Sequence, residues 1–209
     1  QSLMTEGFSI VSSQNCGLDS RVITDFRPPQ FRCLRGESLH NQFISNKHWV
    51  GYPVEGGKRI YVEFVESEVK AIVDASGQSL IIPHHIKRSL NQANSCLDDL
   101  MVEAYITKQH ITLTDLACVN GDYSELLPAE RNAFLRESFK QMPDIEITEL
   151  TKITEEYLSA SAPISAANVR QYVVKDNDKG FDRADELSSC TFILPRFYSV
   201  LMKVFLVPI

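Results

Sequence analysis

The side chains with the clearest chemical potential flank a glycine pair in the first half of the chain. Gly56 and Gly57 indicate a turn, and Lys58 and Arg59 open the β-branched segment that follows. An arginine at the start of a strand presents a planar fork of donors that suits phosphate or ribose oxygens. Trp49, the single tryptophan, precedes this turn and has the aromatic face that stacks on nucleobases. Ligand binding by Trp49, Lys58 and Arg59 is therefore one interpretation; a core tryptophan and a solvated strand-end arginine are the other.

Two further charged residues stand inside apolar segments. Glu103 interrupts residues 100–106, and Lys203 interrupts residues 197–209. A charge that points into a core needs a partner charge or hydrogen bonds. Glu103 is therefore expected to pair with Arg59 or a ligand hydroxyl, or else to face solvent. Lys203 is expected to line the same ligand site, or to protect an edge strand.

A small basic cluster follows Pro83. It contains His84, His85, Lys87 and Arg88. The cluster fits either the phosphate-contacting start of a helix or a solvated helix face, and the sequence leaves both interpretations open.

The surrounding segments show the patterns of strands and helices. Alternating or β-branched runs predict strands at 59–65, 68–73, 80–82, 100–106, 111–119, 191–194 and 197–207. Helical spacing predicts helices at 84–94 and from Pro128 onward, and residues 175–180 predict a charged turn. The predicted order along the chain, with β-hairpins first and helices between the later strands, indicates an α+β fold with largely antiparallel sheets. We expect residues 1–48 to form an N-terminal extension that packs on a core domain spanning 49–209.

Composition limits the classes of function. The net charge of −6 makes broad binding to duplex DNA improbable on electrostatic grounds, although a local basic groove is compatible with it. Five cysteines without a C-x-x-C pair favour reduced thiols in a soluble intracellular protein. No cysteine or histidine pair has the spacing of a zinc site, so we expect no metal. The apolar run 197–209 is too short for a membrane span.

Residues 52–59, Tyr-Pro-Val-Glu-Gly-Gly-Lys-Arg, resemble the first motif of the covalent nucleotidyltransferases. This superfamily comprises ATP-dependent DNA ligases, RNA ligases and mRNA capping enzymes, and its motif is Lys-x-Asp-Gly-x-Arg. Gly57 and Arg59 match the glycine and arginine. Residues 100–105 are similar to the strand of the third motif, with Glu103 at its acidic position.

The next part of the chain extends this resemblance. Residues 114–121 and 127–135 are similar to the strand, Gly turn and Glu-Arg helix that follow in ligases. The order and spacing of these segments imply a nucleotidyltransferase (ligase or capping-enzyme) core for residues 49–209. Residues 180–183 and Lys203 are only faintly similar to the fourth motif and to the lysine strand that closes the family's site.

The departures from the family pattern concern its chemistry. In the family, a lysine amine attacks the α-phosphate of ATP or GTP and carries the nucleotide as a phosphoramide. Val54 stands at the lysine position and has no nucleophile, and Gly56 stands where the motif has aspartate. Thr114 falls where many ligases have an aromatic residue that stacks on the base.

The resemblance therefore implies a catalytically degenerate domain that binds a nucleotide, a capped RNA end or a protein partner without covalent catalysis. Snurportin, a nuclear import adaptor for capped RNAs, also lacks the lysine, and its Pro-Val-Gly-Lys-Arg segment is similar to residues 53–59. An alternative is an active nucleotidyltransferase that uses Lys58 or Lys47 with ATP or GTP and Mg²⁺. A third interpretation is a scaffold subunit whose cleft is filled by side chains.

Overall fold

Two large β-sheets and two helices dominate the part of the chain that a computed structural model describes, namely residues 9–10, 26–33, 48–153, 171–182 and 187–195. The strands are β1 (Ser9–Ile10), β2 (Gln30–Cys33), β3 (Trp49–Val54), β4 (Lys58–Val65), β5 (Glu68–Asp74), β6 (Leu80–Ile81), β7 (Leu100–Ile106), β8 (Ile111–Val119), β9 (Asp122–Tyr123), β10 (Ile145–Ile147), β11 (Thr151–Lys152), β12 (Gln171–Asp176) and β13 (Leu187–Pro195). The helices are α1 (His84–Ala93) and α2 (Pro128–Ser138).

The first sheet has the order β10-β8-β7-β4-β5, with β9 paired to β8. Its pairings are antiparallel except for β10, which runs parallel to β8. Alternate residues of β4 and β7 bury one face of the sheet against α1, whose Ile86 and Leu90 belong to the same apolar cluster as Ile60, Val62 and Phe64. The opposite face of β4 and β7 is consequently turned toward the second sheet.

The second sheet has the order β11-β3-β12-β13-β2. β12 pairs antiparallel with both β3 and β13, while β2 runs parallel to β13. Tyr52 and Val54 of β3 and Val173 of β12 pack in one cluster with Tyr105 of the first sheet. The two sheets therefore meet face to face along β3, β12 and β7.

Strand β8 departs from regular alternation at two places. Its pairing register with β7 shifts between Glu103 and Ala104, and again between Met101 and Val102. An extra residue in one strand of a pair redirects the side chains beside it. As a result, Thr114 and Asp115, although consecutive, are both turned toward the space between the sheets, where each contacts charged groups.

Most of the predicted elements are confirmed. The hairpin of β4 and β5, strands β7 and β8, and helix α1 lie where the sequence patterns put them. Helix α2 begins at Pro128, and the Glu130 carboxylate accepts a hydrogen bond of 2.9 Å from the Leu127 N–H at its positive end. The α+β class with largely antiparallel sheets is confirmed as well.

One element prediction is wrong. The charged turn predicted at 175–180 begins later, because Lys175 and Asp176 are buried in β12. The predicted strand at 197–207, with Lys203, lies outside the described residues. Neither described helix is long and apolar enough to cross a membrane.

Residues 26–33 contact both sheets. Phe26 packs on Tyr61 at a ring-centroid distance of 5.0 Å, and the Gln30 side chain donates a hydrogen bond to the Ala75 carbonyl. β2 joins the edge of the second sheet. The wider expectation, that residues 1–48 form one extension separate from a 49–209 domain, stays a prediction.

Glu63 of β4 is a buried carboxyl with an unsatisfied oxygen. Its side chain is 2% exposed, and its Oε1 has no hydrogen-bond partner. Burial, assisted by the charge of Asp99 and opposed by Lys70, raises the pKa of Glu63 from 4.5 to about 7. The folded state therefore holds a proton here that the unfolded chain releases at lower pH.

The raised pKa of Glu63 predicts that the protein loses stability as the pH rises. Because the pKa is raised in the folded state, the contribution of Glu63 is favourable below pH 4.5 and is lost as the pH rises to about 7. Glu63→Gln keeps the shape and removes the charge, so it should stabilise the protein at pH 8 by about 2–3 kcal/mol more than at pH 4.5. Urea unfolding at both pH values measures this difference, and an identical effect at both would contradict the prediction.

Candidate functional site

Glu103 lies at the centre of the space between the two sheets. Its side chain is fully buried, and three hydroxyl groups donate hydrogen bonds to its carboxylate. Tyr52 and Thr114 donate to Oε1 at 2.8 and 2.9 Å, and Tyr61 donates to Oε2 at 3.0 Å. Because Tyr52 belongs to the second sheet and the other three residues to the first, this carboxylate joins the two sheets.

The two tyrosines act here as donors only. Burial, and then the charge of Glu103, raises the pKa values of Tyr52 and Tyr61 well above 10. Both phenols therefore stay protonated at any physiological pH. The Glu103 carboxylate is satisfied by groups of this chain without a bound ligand.

Asp115 forms the second anionic centre of the site. Arg131 of α2 grips it through two nitrogens, Nε at 2.7 Å from Oδ1 and Nη2 at 3.1 Å from Oδ2. Lys175 of β12 places its Nζ 2.7 Å from Asp115 Oδ2 and 3.8 Å from Glu103 Oε1. Burial alone would raise the pKa of Asp115, but Arg131 and Lys175 outweigh it and lower that pKa. We call Glu103, Asp115, Arg131 and Lys175 the buried charge cluster.

Arg59 adjoins this cluster and is covered by an aromatic ring. Its Nη1 donates to the Tyr61 hydroxyl at 2.9 Å, and Tyr61 in turn donates to Glu103. The Phe31 ring of β2 lies 3.9 Å from Arg59 Cζ and 5.3 Å from Lys175 Nζ, which are cation–π distances. Phe31 thus covers one face of the Arg59 guanidinium.

Arg59 is thus linked to Glu103 through the Tyr61 hydroxyl. Position 54, which the family resemblance assigns to the nucleophilic lysine, is apolar in its surroundings as well as in its side chain. Val54 is 6% exposed and packs with Tyr52, Tyr105 and Val173.

Lys58 lies on the other side of the first sheet. Successive residues of a strand point to opposite faces, so Lys58 faces away from Arg59, and its Nζ lies 3.5 Å from Asp74 Oδ2. The preceding Gly57 has φ +92°, and a Cβ there would come within 2.8 Å of the Ile106 carbonyl oxygen. Glycine at this turn is a conformational requirement, whereas Lys58 does not reach the buried charge cluster.

Trp49 also faces away from the cluster. It lies on the face of β3 opposite Tyr52, is 3% exposed, and meets the Phe192 ring edge-on at 5.6 Å. This placement matches the core interpretation of Trp49 and leaves it outside the cluster. Lys203, Lys47 and Arg183 lie outside the described residues.

A cavity of about 430 Å³ opens beside Val54, between the ends of β3, β7 and β8 and the segment after β10. Hydroxyl and carboxylate groups dominate its wall, which is formed by Pro53, Val54, Glu55, Gly56, Tyr105, Thr107, His110, Thr112, Thr114, Glu146, Thr148, Glu149 and Thr151. Such a wall accepts hydrogen bonds from N–H and O–H donors and repels anions. Among the described residues, no group of three or more His, Cys, Asp or Glu side chains is placed to hold a metal ion.

Comparison with known proteins bears on the fold. No family model matches the sequence, and no curated protein is detectably similar to it in sequence. Solved structures do match. The structure named Pmar-Lig_PreS3 has a TM-score of 0.64 at 12% identity, over 81% of this chain and 46% of that one. Mycobacterial DNA ligase D complexed with ATP and MES has a TM-score of 0.56 at 11% identity, over 82% and 61%.

This chain has the fold of a DNA ligase nucleotidyltransferase domain. A structure of the Lig E DNA ligases agrees, with a TM-score of 0.53 at 10% identity over 81% of this chain and 69% of that one. The chain spans about half the length of Pmar-Lig_PreS3. At these identities the likeness concerns the nucleotidyltransferase fold alone.

Sequence reasoning missed several residues of the site. Asp115 and Arg131 lay within the segments that carried the family resemblance, but neither was assigned a role. Lys175 was assigned to a turn, although a lysine directly after Tyr172-Val173-Val174 is the signal of a charge within a buried strand. Phe31 gave no signal, because its neighbours show no periodicity and its contact with Arg59 is far in sequence.

The buried charge cluster predicts a large loss of stability when one partner is neutralised. Asp115→Asn removes the carboxylate partner of Arg131 and leaves Lys175 only the more distant Glu103, 3.8 Å away, so the unfolding free energy should fall by about 3–5 kcal/mol. Asp178→Asn is the matched control, because Asp178 and its partner His48 are 59% and 72% exposed. That control should change stability by less than about 1 kcal/mol. Urea unfolding at pH 7 measures both, and equal losses would contradict a buried cluster.

Proposed function

We propose that this chain is a non-catalytic nucleotidyltransferase-like domain that binds a nucleotide or a capped RNA end without forming a covalent bond. One observation carries the proposal: Val54 packs in an apolar cluster at the position of the family's nucleophile, and an open cavity lies directly beside it. Under this proposal the cavity is the binding space, and the family's reactive amine is missing beside it.

Lys58 and Lys175 are not placed to act as a substitute nucleophile. The Lys175 amine is engaged in a buried salt bridge, with its Nζ 2.7 Å from Asp115 Oδ2. Lys58 projects from the opposite face of the first sheet, toward Asp74. The positions of Lys58 and Lys175 favour a domain that binds its ligand non-covalently over an active enzyme that uses Lys58.

The cavity wall favours a base over a triphosphate. Glu55, Glu146 and Glu149 would repel phosphate oxygens but accept hydrogen bonds from the amino and imino groups of a base. Tyr105 and Pro53 add apolar surface. A capped RNA end suits such a wall particularly well, because its methylated guanine carries positive charge. The phosphates would then point out of the cavity.

The absence of covalent chemistry is directly testable. After incubation with α-³²P-labelled ATP or GTP and Mg²⁺ or Mn²⁺, the protein should carry no label on a denaturing gel. A labelled, acid-labile band would overturn the proposal. Loss of that band in Lys58→Ala or Lys47→Ala would then establish the active enzyme with a displaced lysine.

Ligand binding in the cavity is tested by thermal shift with GTP, ATP and a methylated cap analogue. A ligand at 100 times its dissociation constant should stabilise the fold by about 2.7 kcal/mol. Thr112→Trp, which fills the cavity, should abolish the shift, whereas Lys140→Trp on an exposed surface should retain it. A shift that survives Thr112→Trp would place the ligand elsewhere.

A second candidate function is a scaffold subunit that binds another protein. It is favoured by the complete internal pairing of the buried charge cluster and by the Phe31 ring over Arg59. A folded protein that shows no thermal shift with any of the three nucleotides would favour this scaffold over the nucleotide-binding domain.

A further inference from the structure

The outward face of α1 is entirely basic over its first two turns. Ile86 and Leu90 bury the inner face, while His84, His85, Lys87 and Arg88 are exposed. The helix has no acidic residue in its first turn. The basic cluster noticed in the sequence is thus collected on one surface by the helix geometry.

In the described part of the chain no salt bridge pairs these four side chains, and the carboxylate of Asp144 lies against α1, where it accepts a hydrogen bond of 2.7 Å from Ser89. The amino-terminal end of a helix already carries partial positive charge, so basic residues there raise the local potential further. Among the described residues no carboxylate lies within 4.0 Å of Lys87 or Arg88, whereas the buried cations Arg131 and Lys175 are both paired with Asp115. Lys87 and Arg88 thus present exposed positive charge on a chain whose net charge is −6.

This surface continues to the mouth of the cavity. The turn between β7 and β8 adds the exposed residues Lys108 and His110, and His85 Nε2 lies 3.5 Å from the Gln109 carbonyl oxygen of that turn. His110 also belongs to the cavity wall. We call His84, His85, Lys87, Arg88, Lys108 and His110 the α1 basic surface.

We propose that the α1 basic surface binds the phosphodiester backbone of a single-stranded nucleic acid. Lysine, arginine and a helix amino terminus are the groups that contact phosphates without reading sequence. The surface spans one helix face and one turn, which suits a few phosphates of one strand. A duplex would bring many more phosphates against a protein of net negative charge. Binding to the α1 basic surface does not require a ligand in the cavity. The position of the surface suits a strand whose terminal base enters the cavity, and this last point rests on the proposed function.

The probe is an uncapped, 3′-fluorescein-labelled single-stranded RNA of 12 nucleotides, and the readout is fluorescence anisotropy between 50 and 200 mM KCl. The double variant Lys87→Glu/Arg88→Glu should bind at least about tenfold more weakly at 50 mM KCl. Each lost phosphate contact should reduce the slope of log K against log salt by about 0.7, so the slope should fall by about 1.4.

The matched control is Arg32→Glu/Lys179→Glu, which makes the same change of charge at two exposed residues associated with the second sheet. It should bind the RNA within about twofold of the unmodified protein. Equal weakening in both double variants, or no binding by the unmodified protein at 50 mM KCl, would overturn the proposed site.

Three further ligands identify the occupant. Single-stranded DNA of the same length should bind comparably if the backbone alone is recognised, and RNA-selective binding would add contacts to the 2′-hydroxyl. Tighter binding of the corresponding duplex would contradict the single-strand proposal. A poly-glutamate peptide of equal charge that competes as well as RNA would indicate an acidic protein partner and overturn it as well.

Different variants test ligand binding in the cavity and RNA binding on the α1 basic surface, so either proposal can fail without the other. Thr112→Trp should lose the thermal shift with nucleotides yet keep the salt slope for the 12-nucleotide RNA. Lys87→Glu/Arg88→Glu should keep the thermal shift and lose the salt slope. RNA binding that is lost only in Thr112→Trp would overturn the role of α1 while leaving the proposed function intact.

Discussion

The structure depends on satisfying one buried carboxylate. An ionised side chain that is removed from water without partners costs several kcal/mol, so Glu103 can occupy the space between the sheets only if donors surround it. Tyr61 and Thr114 come from its own sheet, but Tyr52 comes from the other. The orientation in which the second sheet docks is therefore constrained by a hydrogen bond as well as by apolar packing.

Asp115 and Lys175 extend this constraint. Asp115 lies directly opposite Glu103 in the pairing of β7 with β8, which would leave two carboxylates close together in a buried site. Lys175 lies between them, and Arg131 fixes the first turn of α2 against Asp115. Arg59 and the Phe31 ring then close the side of the cluster. The centre of the space between the two sheets is thus filled by the protein's own charged and aromatic groups, and a cavity lies beside Val54 at the ends of β3, β7 and β8.

Local sequence patterns predicted the elements that depend on local physics. A nearly continuous apolar run gave the correct bounds for β7, and a proline start with Glu130 at the positive end predicted α2. The expectation that Glu103 needs a partner followed from its place inside an apolar segment. By contrast, the register shifts that redirect Thr114 and Asp115 leave no mark in the sequence, because alternation assigns consecutive residues to opposite faces. Lys175 and Phe31 reach the cluster only through pairing between distant strands, and the snurportin similarity of residues 53–59 stays a prediction.

The central claim is that hydrogen bonds and salt bridges among the residues of this site stabilise the packing of the two sheets. The hydrogen bond from Tyr52 to Glu103 provides the most sensitive test of that claim. A double-mutant cycle of Tyr52→Phe and Glu103→Gln, followed by urea unfolding, measures their coupling. The account predicts a coupling free energy of about 1.5–3 kcal/mol, as expected for a buried hydrogen bond to a charged group. Additive effects within about 0.5 kcal/mol would show that the two sheets dock without this bond, and would contradict the account.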